Sequence, residues 1–275
     1  MTSSEATDVW NAAAAGWDRG YDWYARAVRP ITQWICGVVA TPGARVLDLA
    51  CGTGQPALDI AARVGPDGRV LATDLSPRML ETVRRRARDA ELGNVEVRLM
   101  DAQDLALGDR KFDAASCACG LMFCADPAST VSQVRRVLRP GGRLAVAVWD
   151  GPAHCPYFTL IGGVLQDLLP PAPGAAPSGW PLASPAEIEG VLARGGISEI
   201  AVERCSLTFE LESVDHYWNV MMQFAAGIAQ KVARLPPDAV ERAREALRRA
   251  AQPHLQAGRL RLTATALCAS GRAVA

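Results

Sequence analysis

The sequence has no excess of charge of either sign, because 29 lysine and arginine residues balance 29 aspartate and glutamate residues among 275. A chain whose whole surface attracts phosphate backbones is strongly basic, so this balance argues against nucleic acid as a partner. One local basic cluster, Arg84-Arg85-Arg86 with Arg88, falls on a predicted helix and is interpreted as a solvated face.

The sequence also lacks a long apolar run, and no segment approaches the ~20 residues needed to span a bilayer. The first ten residues, MTSSEATDVW, have neither the basic nor the apolar region of a signal peptide. Eight cysteines are too few for a disulfide scaffold of this length. We therefore expect a cytoplasmic chain with reduced thiols and no membrane span, present as a monomer or homodimer.

Between Arg45 and Trp149 the chain alternates short apolar runs with longer amphipathic stretches, which is typical of βαβ units around a parallel sheet. The predicted strands are Arg45–Leu49, Arg69–Thr73, Val95–Met100, Phe112–Cys117 and Arg143–Trp149. The helices predicted between them are Gln55–Val64, Pro77–Glu91 and Ala128–Leu138. Right-handed crossovers would make these five strands a doubly wound sheet.

The alternation stops after Trp149 in a segment rich in proline, glycine and aromatics, with a loop or lid predicted at Pro170–Pro177. It resumes with a helix near Ser184–Ala193. Two strand-like runs, Ala201–Leu211 and Leu260–Cys268, flank a helical block at Val214–Leu255 that contains two amphipathic segments. Seven strands in a mostly parallel α/β sheet, with helical cap insertions, are therefore expected.

The first predicted strand ends in a turn of small residues, Ala50-Cys51-Gly52-Thr53-Gly54, and a helix follows. Such a turn lets a ligand approach the backbone and the free N–H groups of the helix. Asp74 ends the next strand 20 residues after Gly54, the spacing at which an acidic residue meets ribose hydroxyls. The turn lacks the Gly-x-Gly-x-x-Gly pattern of pyrophosphate sites, so a nucleoside without phosphates is favoured over NAD, with a plain tight turn as the alternative.

Five ordered motifs between Val46 and Asp150 resemble the class I S-adenosylmethionine-dependent methyltransferases. Within that family they are similar to the small-molecule group typified by the ubiquinone and menaquinone biosynthesis methyltransferases. The motifs are VLDLACGTG, ATDLSPRML, MDAQDL, FDAASCACGLMFCADP and LRPGGRLAVAVWD. The resemblance implies a Rossmann-like fold and S-adenosylmethionine as cofactor. The sequence departs from the family at Ala50, where many members have glycine, and we expect a shifted backbone there rather than a lost site.

The resemblance also implies a role for individual residues. Asp48 and the turn Ala50–Gly54 would hold the methionine end, and Asp74 would bind the ribose. Leu75 and Met79 would pack on the adenine, Asp101 and Ala102 would meet its edge, and the backbone of Cys117 would lie near the sulfonium. The cofactor-binding residues expected are Trp17, Tyr21, Asp48, Ala50, Cys51, Gly52, Gly54, Gln55, Asp74, Leu75, Met79, Asp101, Ala102 and Cys117.

We expect the chain to divide into four parts, of which the closing role of the first follows from the resemblance. Residues 1–44 would form a helical segment that closes over the cofactor, with Trp17 and Tyr21 facing it or, alternatively, packing on the sheet edge. Residues 45–150 would be the cofactor-binding core and 151–183 a proline-rich lid. Residues 184–275 would supply the last helix and strands, with a helical cap at about 214–255.

A general base is needed if the methyl acceptor is a hydroxyl or a carbon acid. His154 follows the fifth strand, at the edge where a doubly wound sheet presents its ligand. His216 and Tyr217 begin a helix with a methionine-rich stripe that suits a hydrophobic pocket or plain packing. These three are the candidate catalytic residues; Cys117, Cys119 and Cys124 have no standard zinc spacing, so no metal is predicted.

The function expected is methyl transfer by in-line displacement to a small, largely apolar or aromatic acceptor, such as a quinol or a natural product. Two alternatives stay open. An RNA or protein methyltransferase would carry an Asn/Asp-Pro-Pro-Tyr/Phe motif after the fourth strand, where this chain has Ala118-Cys119-Gly120. A non-catalytic cofactor-binding scaffold would show an eroded cofactor motif, and the acidic residues and glycines are intact here.

Overall fold

A computed structural model of the chain describes residues 3–168 and 180–274. The predicted loop at Pro170–Pro177 lies outside these residues. The strands are β1 (Arg45–Leu49), β2 (Arg69–Asp74), β3 (Val95–Leu99), β4 (Phe112–Ala118), β5 (Leu138–Trp149), β6 (Ile197–Leu211), β7 (Leu255–Gln256) and β8 (Arg259–Ala273). They form one sheet in the order β3-β2-β1-β4-β5-β8-β6, with β7 paired to β8.

Eleven helices are described. They are α1 (Ser3–Arg19), α2 (Tyr21–Ala27), α3 (Arg29–Val39), α4 (Ala57–Val64), α5 (Pro77–Asp89), α6 (Pro127–Val137), α7 (Pro156–Leu168), α8 (Pro185–Arg194), α9 (Val214–Phe224), α10 (Ala226–Val232) and α11 (Pro237–Ala250). Single 3-10 turns occur at Leu121–Phe123, Pro152–His154 and Gln252–His254. Side chains of Ser76, Asp126, Ser184 and Ser213 cap α5, α6, α8 and α9 by accepting from a backbone N–H in the first turn.

The first five strands are parallel, and β8 runs antiparallel to β5. Residues from Val46 through Leu49 of β1 are all buried, as expected for a central strand whose two faces are both covered by helices. The chain adds β2 and β3 on one side of β1 and then β4 on the other. This reversal of strand order beside β1 makes the crevice at the carboxyl ends of β1 and β4 the place where open α/β sheets bind ligands.

The α/β, mostly parallel, doubly wound sheet predicted from the sequence is confirmed, but the count of seven strands is wrong. The additional strand, β7, has two residues and joins β8 through Ala257 and Gly258, both with positive φ. Two residues are too short to show the period-2 pattern by which strands are recognised. The helical block at 214–255 likewise contains three α-helices where two amphipathic segments were predicted. The additional helix, α10, has only seven residues, which is too short to show a helical period in the sequence.

The chain divides into two compact units. The first contains residues 1–149, 181–205 and 266–275, and the second contains 150–180 and 206–265. In the second unit, α7 occupies much of the segment expected to be a proline-rich lid. Among the helices in the described ranges, none is both long enough and apolar enough to cross a membrane.

Candidate active site

The carboxyl end of β1 leads into a turn with three residues in the left-handed region. Ala50, Gly52 and Gly54 have φ values of 50°, 52° and 112°. The Cys51 N–H donates to the Thr73 carbonyl at 3.0 Å, which ties the turn to the end of β2. A side chain at Gly52 would meet nothing within 4 Å, so the backbone there faces open space that a ligand can enter.

Asp74, the last residue of β2, closes the same turn from the other side. Its Oδ2 accepts from the Gly52 N–H at 2.9 Å, and its Oδ1 accepts from the Ser76 N–H at 2.8 Å. The side chain is largely buried, and this burial raises its pKa, against the hydrogen bonds from Ser76 and Gly52 that lower it. A buried carboxylate at this place is well suited to accept from ligand hydroxyls.

Asp48 lies one residue before the end of β1 and is fully buried. Ser116 of β4 donates to its Oδ1 at 2.6 Å, whereas Oδ2 has no hydrogen-bond partner within the described part of the chain. Burial raises the pKa of Asp48 to about 7; the Ser116 bond and the nearby Ala57 N–H lower it, and the charge of Asp74 raises it. An orphaned buried oxygen indicates a missing donor, such as an ammonium or hydroxyl of a ligand.

The end of β4 approaches the turn after β1 closely. In the β1–β4 register Leu49 is paired with Cys117, so both strands end at the same level. A Cβ added to Gly120 would lie 2.5 Å from the Cβ of Ala50 and 3.0 Å from the Sγ of Cys117. Because Gly120 has no side chain, it leaves room for the methyl group of Ala50. A glycine at position 50 would have no methyl group to accommodate.

Helix α1 crosses from the end of β2 to the segment after β4. Asn11 Oδ1 accepts from Ser76 Oγ at 2.6 Å, and the ring of Trp10 makes an edge contact with Phe123, centroid to centroid 5.2 Å. Asp18, near the end of α1, forms ion pairs with Arg85 and Arg86 of α5, both at 2.6 Å. The first helix is thus fixed over the carboxyl edge of the sheet, beside Asp74.

Trp17 and Tyr21, the aromatic candidates, have protein neighbours at the end of α1 and the start of α2. Trp17 makes an edge contact with Tyr24 at 4.8 Å, and the guanidinium carbon of Arg86 lies 3.4 Å from the ring centroid of Tyr21. Burial raises the pKa of the Tyr21 hydroxyl. A role of either ring at the cofactor stays a prediction.

The remaining cofactor candidates lie around the same edge. Met79 is buried in the first turn of α5 and Leu75 is half-buried before it. Asp101 and Ala102 follow β3, where Asp101 Oδ1 accepts from the Gln103 N–H at 2.9 Å. Gln55 Nε2 donates to Thr32 Oγ1 at 2.8 Å and to Asp59 Oδ2 at 3.2 Å. Cys51 and Cys117 are buried, and burial raises the pKa of both thiols.

In the second unit, His154 is placed against an acid. Its Nδ1 is 3.0 Å from Oδ2 of Asp150, the residue that directly follows β5. His216 and Tyr217 have different surroundings. His216 Nδ1 accepts from the Glu212 N–H at 3.2 Å beside the start of α9, and the fully buried Tyr217 donates its hydroxyl to the Tyr157 carbonyl at 2.6 Å. Burial raises the pKa of Tyr217.

Sequence reasoning missed Asn11, Ser116 and Gly120. Asn11 has no motif around it, and its contact with Ser76 spans 65 positions of the chain. Ser116 could have been noticed as a polar residue within an apolar strand, since such a residue needs a partner. The three cysteines at 117, 119 and 124 join no group of three His, Cys, Asp or Glu side chains suited to a metal ion within residues 3–168 and 180–274.

Residues 46–142 match the family model described as a methyltransferase domain. The chain is 30% identical over 173 residues to the 2-phytyl-1,4-naphtoquinone methyltransferase of Trichormus variabilis, a match that covers 62% of this chain and 75% of that protein. It is 41% identical over 103 residues to the demethylmenaquinone methyltransferase of Symbiobacterium thermophilum, covering 37% of this chain and 41% of the relative. Other curated relatives are also matched over less than half of their own length.

The fold is similar to that of the YcgJ protein from Bacillus subtilis. The TM-score is 0.58 at 16% sequence identity, and the match covers 90% of this chain and 99% of the YcgJ chain. At this identity the likeness supports the Rossmann-like fold alone.

Proposed function

The chain belongs to the class I S-adenosylmethionine-dependent methyltransferases, and on that premise we propose that it methylates a small, largely apolar or aromatic acceptor of quinol or natural-product type. The observation that carries this proposal is the pair of buried carboxylates, Asp48 and Asp74, at the carboxyl ends of β1 and β2. Their acceptor oxygens suit a cofactor that brings an ammonium group and two ribose hydroxyls.

We assign Asp48 and the turn from Ala50 to Gln55 to the methionine end of the cofactor. Oδ2 of Asp48 is the oxygen without a partner among the described residues, so a cationic donor there would satisfy it. Asp74 would accept from the ribose hydroxyls while keeping its bonds from Gly52 and Ser76. Leu75 and Met79 would contact the adenine face, Asp101 and Ala102 its edge, and the Cys117 backbone the sulfonium.

When bound, the cofactor supplies a methyl group that its sulfonium already activates. The protein has to hold an acceptor in line with that methyl and to exclude water. We propose that α1 is the element that closes over the cofactor, with Trp17 and Tyr21 nearest the site. Asn11 of this helix is already hydrogen-bonded to Ser76, two residues after Asp74. The acceptor would be a quinol or a similar ring, because two curated relatives of the chain are named as quinone methyltransferases.

We assign the general base to His154, which combines a half-exposed ring with a carboxylate on one nitrogen. His216 and Tyr217, the other two candidates, carry local hydrogen bonds that hold the start of α9 and its packing on α7. Their proposed role is to shape the wall of the acceptor site. A cytoplasmic location, a small-molecule partner and a monomeric or homodimeric state stay predictions.

Calorimetry and a labelled-methyl screen test the proposal together. The purified, ligand-stripped chain is titrated with S-adenosylmethionine and, separately, with NAD, and is then incubated with methyl-labelled cofactor and quinols, phenols, amines and thiols. Micromolar binding of S-adenosylmethionine alone and label on a ring compound are expected. Absence of binding would contradict the proposal and favour a scaffold that keeps the fold, while label on RNA or protein only would favour a macromolecular substrate.

A further inference from the structure

A buried carboxylate faces an exposed imidazole in the segment directly after β5. Nδ1 of His154 lies 3.0 Å from Oδ2 of Asp150, four residues earlier. The side chain of Asp150 is 2% exposed and that of His154 is 52% exposed. One ring nitrogen is therefore held against an acid that water barely reaches, while the ring itself stays accessible.

The loop holds both groups in place. The Gly151 N–H donates to Oδ1 of Asp150 at 2.8 Å, and the His154 N–H donates to the Gly151 carbonyl at 2.9 Å. The Asp150 N–H donates to the Thr265 carbonyl at 2.9 Å. The buried thiol of Cys155 lies 3.4 Å from the carbonyl oxygens of both Asp150 and Thr265. With its backbone and one carboxylate oxygen fixed, Asp150 presents the other oxygen to the imidazole.

An ionised carboxylate only accepts hydrogen bonds, so the neutral imidazole beside it carries its proton on Nδ1 and its lone pair on Nε2. We infer that Asp150 is a positioning residue that fixes His154 as a base acting through Nε2, and that the acceptor is a phenol or quinol whose hydroxyl proton must be removed. The assignment of the tautomer depends on the geometry alone. The acceptor class rests on the proposed function.

The step balances with the groups named. The O–H bond of the acceptor breaks, its proton goes to Nε2, and the resulting imidazolium is stabilised by the Asp150 carboxylate. The phenolate oxygen, or a ring carbon that it activates, forms the bond to the methyl carbon. The S–CH₃ bond breaks, and its electron pair stays on sulfur, which becomes a neutral thioether. If carbon is methylated, its ring proton is lost to water; the proton on His154 leaves to water in either case.

An aromatic amine is uncharged at neutral pH, so its nucleophilic lone pair is present before any proton is removed, and a thiol with a pKa near 8.5 is partly ionised there. Neither acceptor requires a carboxylate-oriented imidazole. An aromatic hydroxyl, with a pKa near 10, is mostly protonated at neutral pH and gains most from a positioned base.

The tautomer can be read without any substrate, because the chain has only three histidines. Long-range ¹H–¹⁵N spectra of the ¹⁵N-labelled full chain, assigned with a His154→Gln variant, should show a protonated Nδ1 and an unprotonated Nε2 for His154. In Asp150→Asn the amide can donate to Nδ1, so the proton is expected to move to Nε2. Asp238→Asn is the control, since Asp238 also pairs with a residue four positions on, Arg242, but is exposed.

Methyl transfer to 4-methylphenol, catechol and 1,4-naphthalenediol provides the second readout, with aniline and thiophenol for comparison. We expect Asp150→Asn and His154→Gln each to lower transfer to the aromatic hydroxyls at least about 100-fold, with calorimetric affinity for S-adenosylmethionine unchanged. Asp238→Asn should transfer at the rate of the parent chain.

Each contrary result overturns a different statement. A proton on Nε2 in the parent chain, or an unchanged tautomer in Asp150→Asn, refutes the dyad whatever the activity; the parent spectrum decides alone if that variant does not fold. Label on thiophenol or amine groups only, at rates that neither variant alters, refutes the acceptor class. If the parent chain does not bind S-adenosylmethionine, the proposed function is refuted. The tautomer of His154 is then still decided by the ¹H–¹⁵N spectrum, which needs no cofactor.

Discussion

Ser76 Oγ donates a 2.6 Å hydrogen bond to Oδ1 of Asn11, and so joins the first helix to the cap of α5. The same serine donates its backbone N–H to Asp74. Asn11, Ser76 and Asp74 therefore form a continuous chain of contacts from α1 to the carboxylate assigned to the ribose. Closing of α1 and binding of the cofactor are expected to support each other through this chain.

The first prediction concerns Asn11. Asn11→Ala should weaken S-adenosylmethionine binding about fivefold, since a neutral hydrogen bond contributes roughly 1 kcal/mol. Isothermal calorimetry measures the effect, and Asn219→Ala, an exposed position on α9, is the matched control. If the two variants bound S-adenosylmethionine with equal affinity, the contact that Asn11 makes from α1 would have no effect on cofactor binding.

Asp74→Ala should weaken cofactor binding by about 10- to 100-fold, because hydrogen bonds to a charged group contribute roughly 1.5–3 kcal/mol. The thermal midpoint should fall as well, because the N–H of the buried Ser76 loses its acceptor. Glu81→Ala removes an exposed carboxylate of α5 and should bind as the parent does. Unchanged calorimetric affinity of Asp74→Ala would refute the ribose assignment.

The contact between Gly120 and Ala50 predicts a rescue. Gly120→Ala places a methyl 2.5 Å from the Ala50 Cβ, so it should destabilise the chain by about 1–3 kcal/mol, as overpacking does. Ala50→Gly removes that clash and relieves a non-glycine φ of 50°, so the double variant should regain most of the loss. Urea unfolding of the parent, the two single variants and the double variant gives the coupling energy between positions 50 and 120. Additive effects would mean that the clash is relieved by movement elsewhere in the structure.

The raised pKa of Asp48 predicts how stability depends on pH. A folded-state pKa of about 7, against ~3.9 for an unfolded aspartate, means that the folded chain binds the extra proton. Stability from this group is full below about pH 4, falls as the pH rises and levels off above about pH 7. Urea unfolding from pH 4.5 to 8.5 should show this decline in the parent chain and a flatter profile in Asp48→Asn; parallel profiles would contradict it.

The same carboxyl group couples cofactor binding to protons. If the cofactor's ammonium lies at Asp48, it lowers the pKa of that side chain, so binding releases a proton and affinity rises between about pH 5 and pH 7. Calorimetry in phosphate and in imidazole buffer at pH 6.5 should give different enthalpies, and Asp48→Asn should remove the difference. Equal enthalpies in the parent chain would place the methionine end elsewhere.

Local patterns in the sequence were sufficient to predict much of the core. The apolar run before Asp48, the small-residue turn and the acid at position 74 each predict their structure from neighbours within a few residues. The ends of elements were less predictable. Pro140-Gly141-Gly142 indicates a turn, so the strand was predicted to begin at Arg143, but β5 includes these residues and begins at Leu138. The hydrogen bond from the Tyr217 hydroxyl to the Tyr157 carbonyl was not predictable either, because the two residues are 60 positions apart in the chain.

The sequence by itself determined the order of the first five strands and the helices between them, the small-residue turn after β1 and the acids at positions 48 and 74, since these follow from periodicity, glycine placement and spacing along the chain. Only the tertiary structure decided which distant residues meet. Ser116 reaches Asp48 across 68 positions, and Asn11 reaches Ser76 across 65. Such contacts depend on strand order and on helix docking, which leave no periodic signal in the residues that make them.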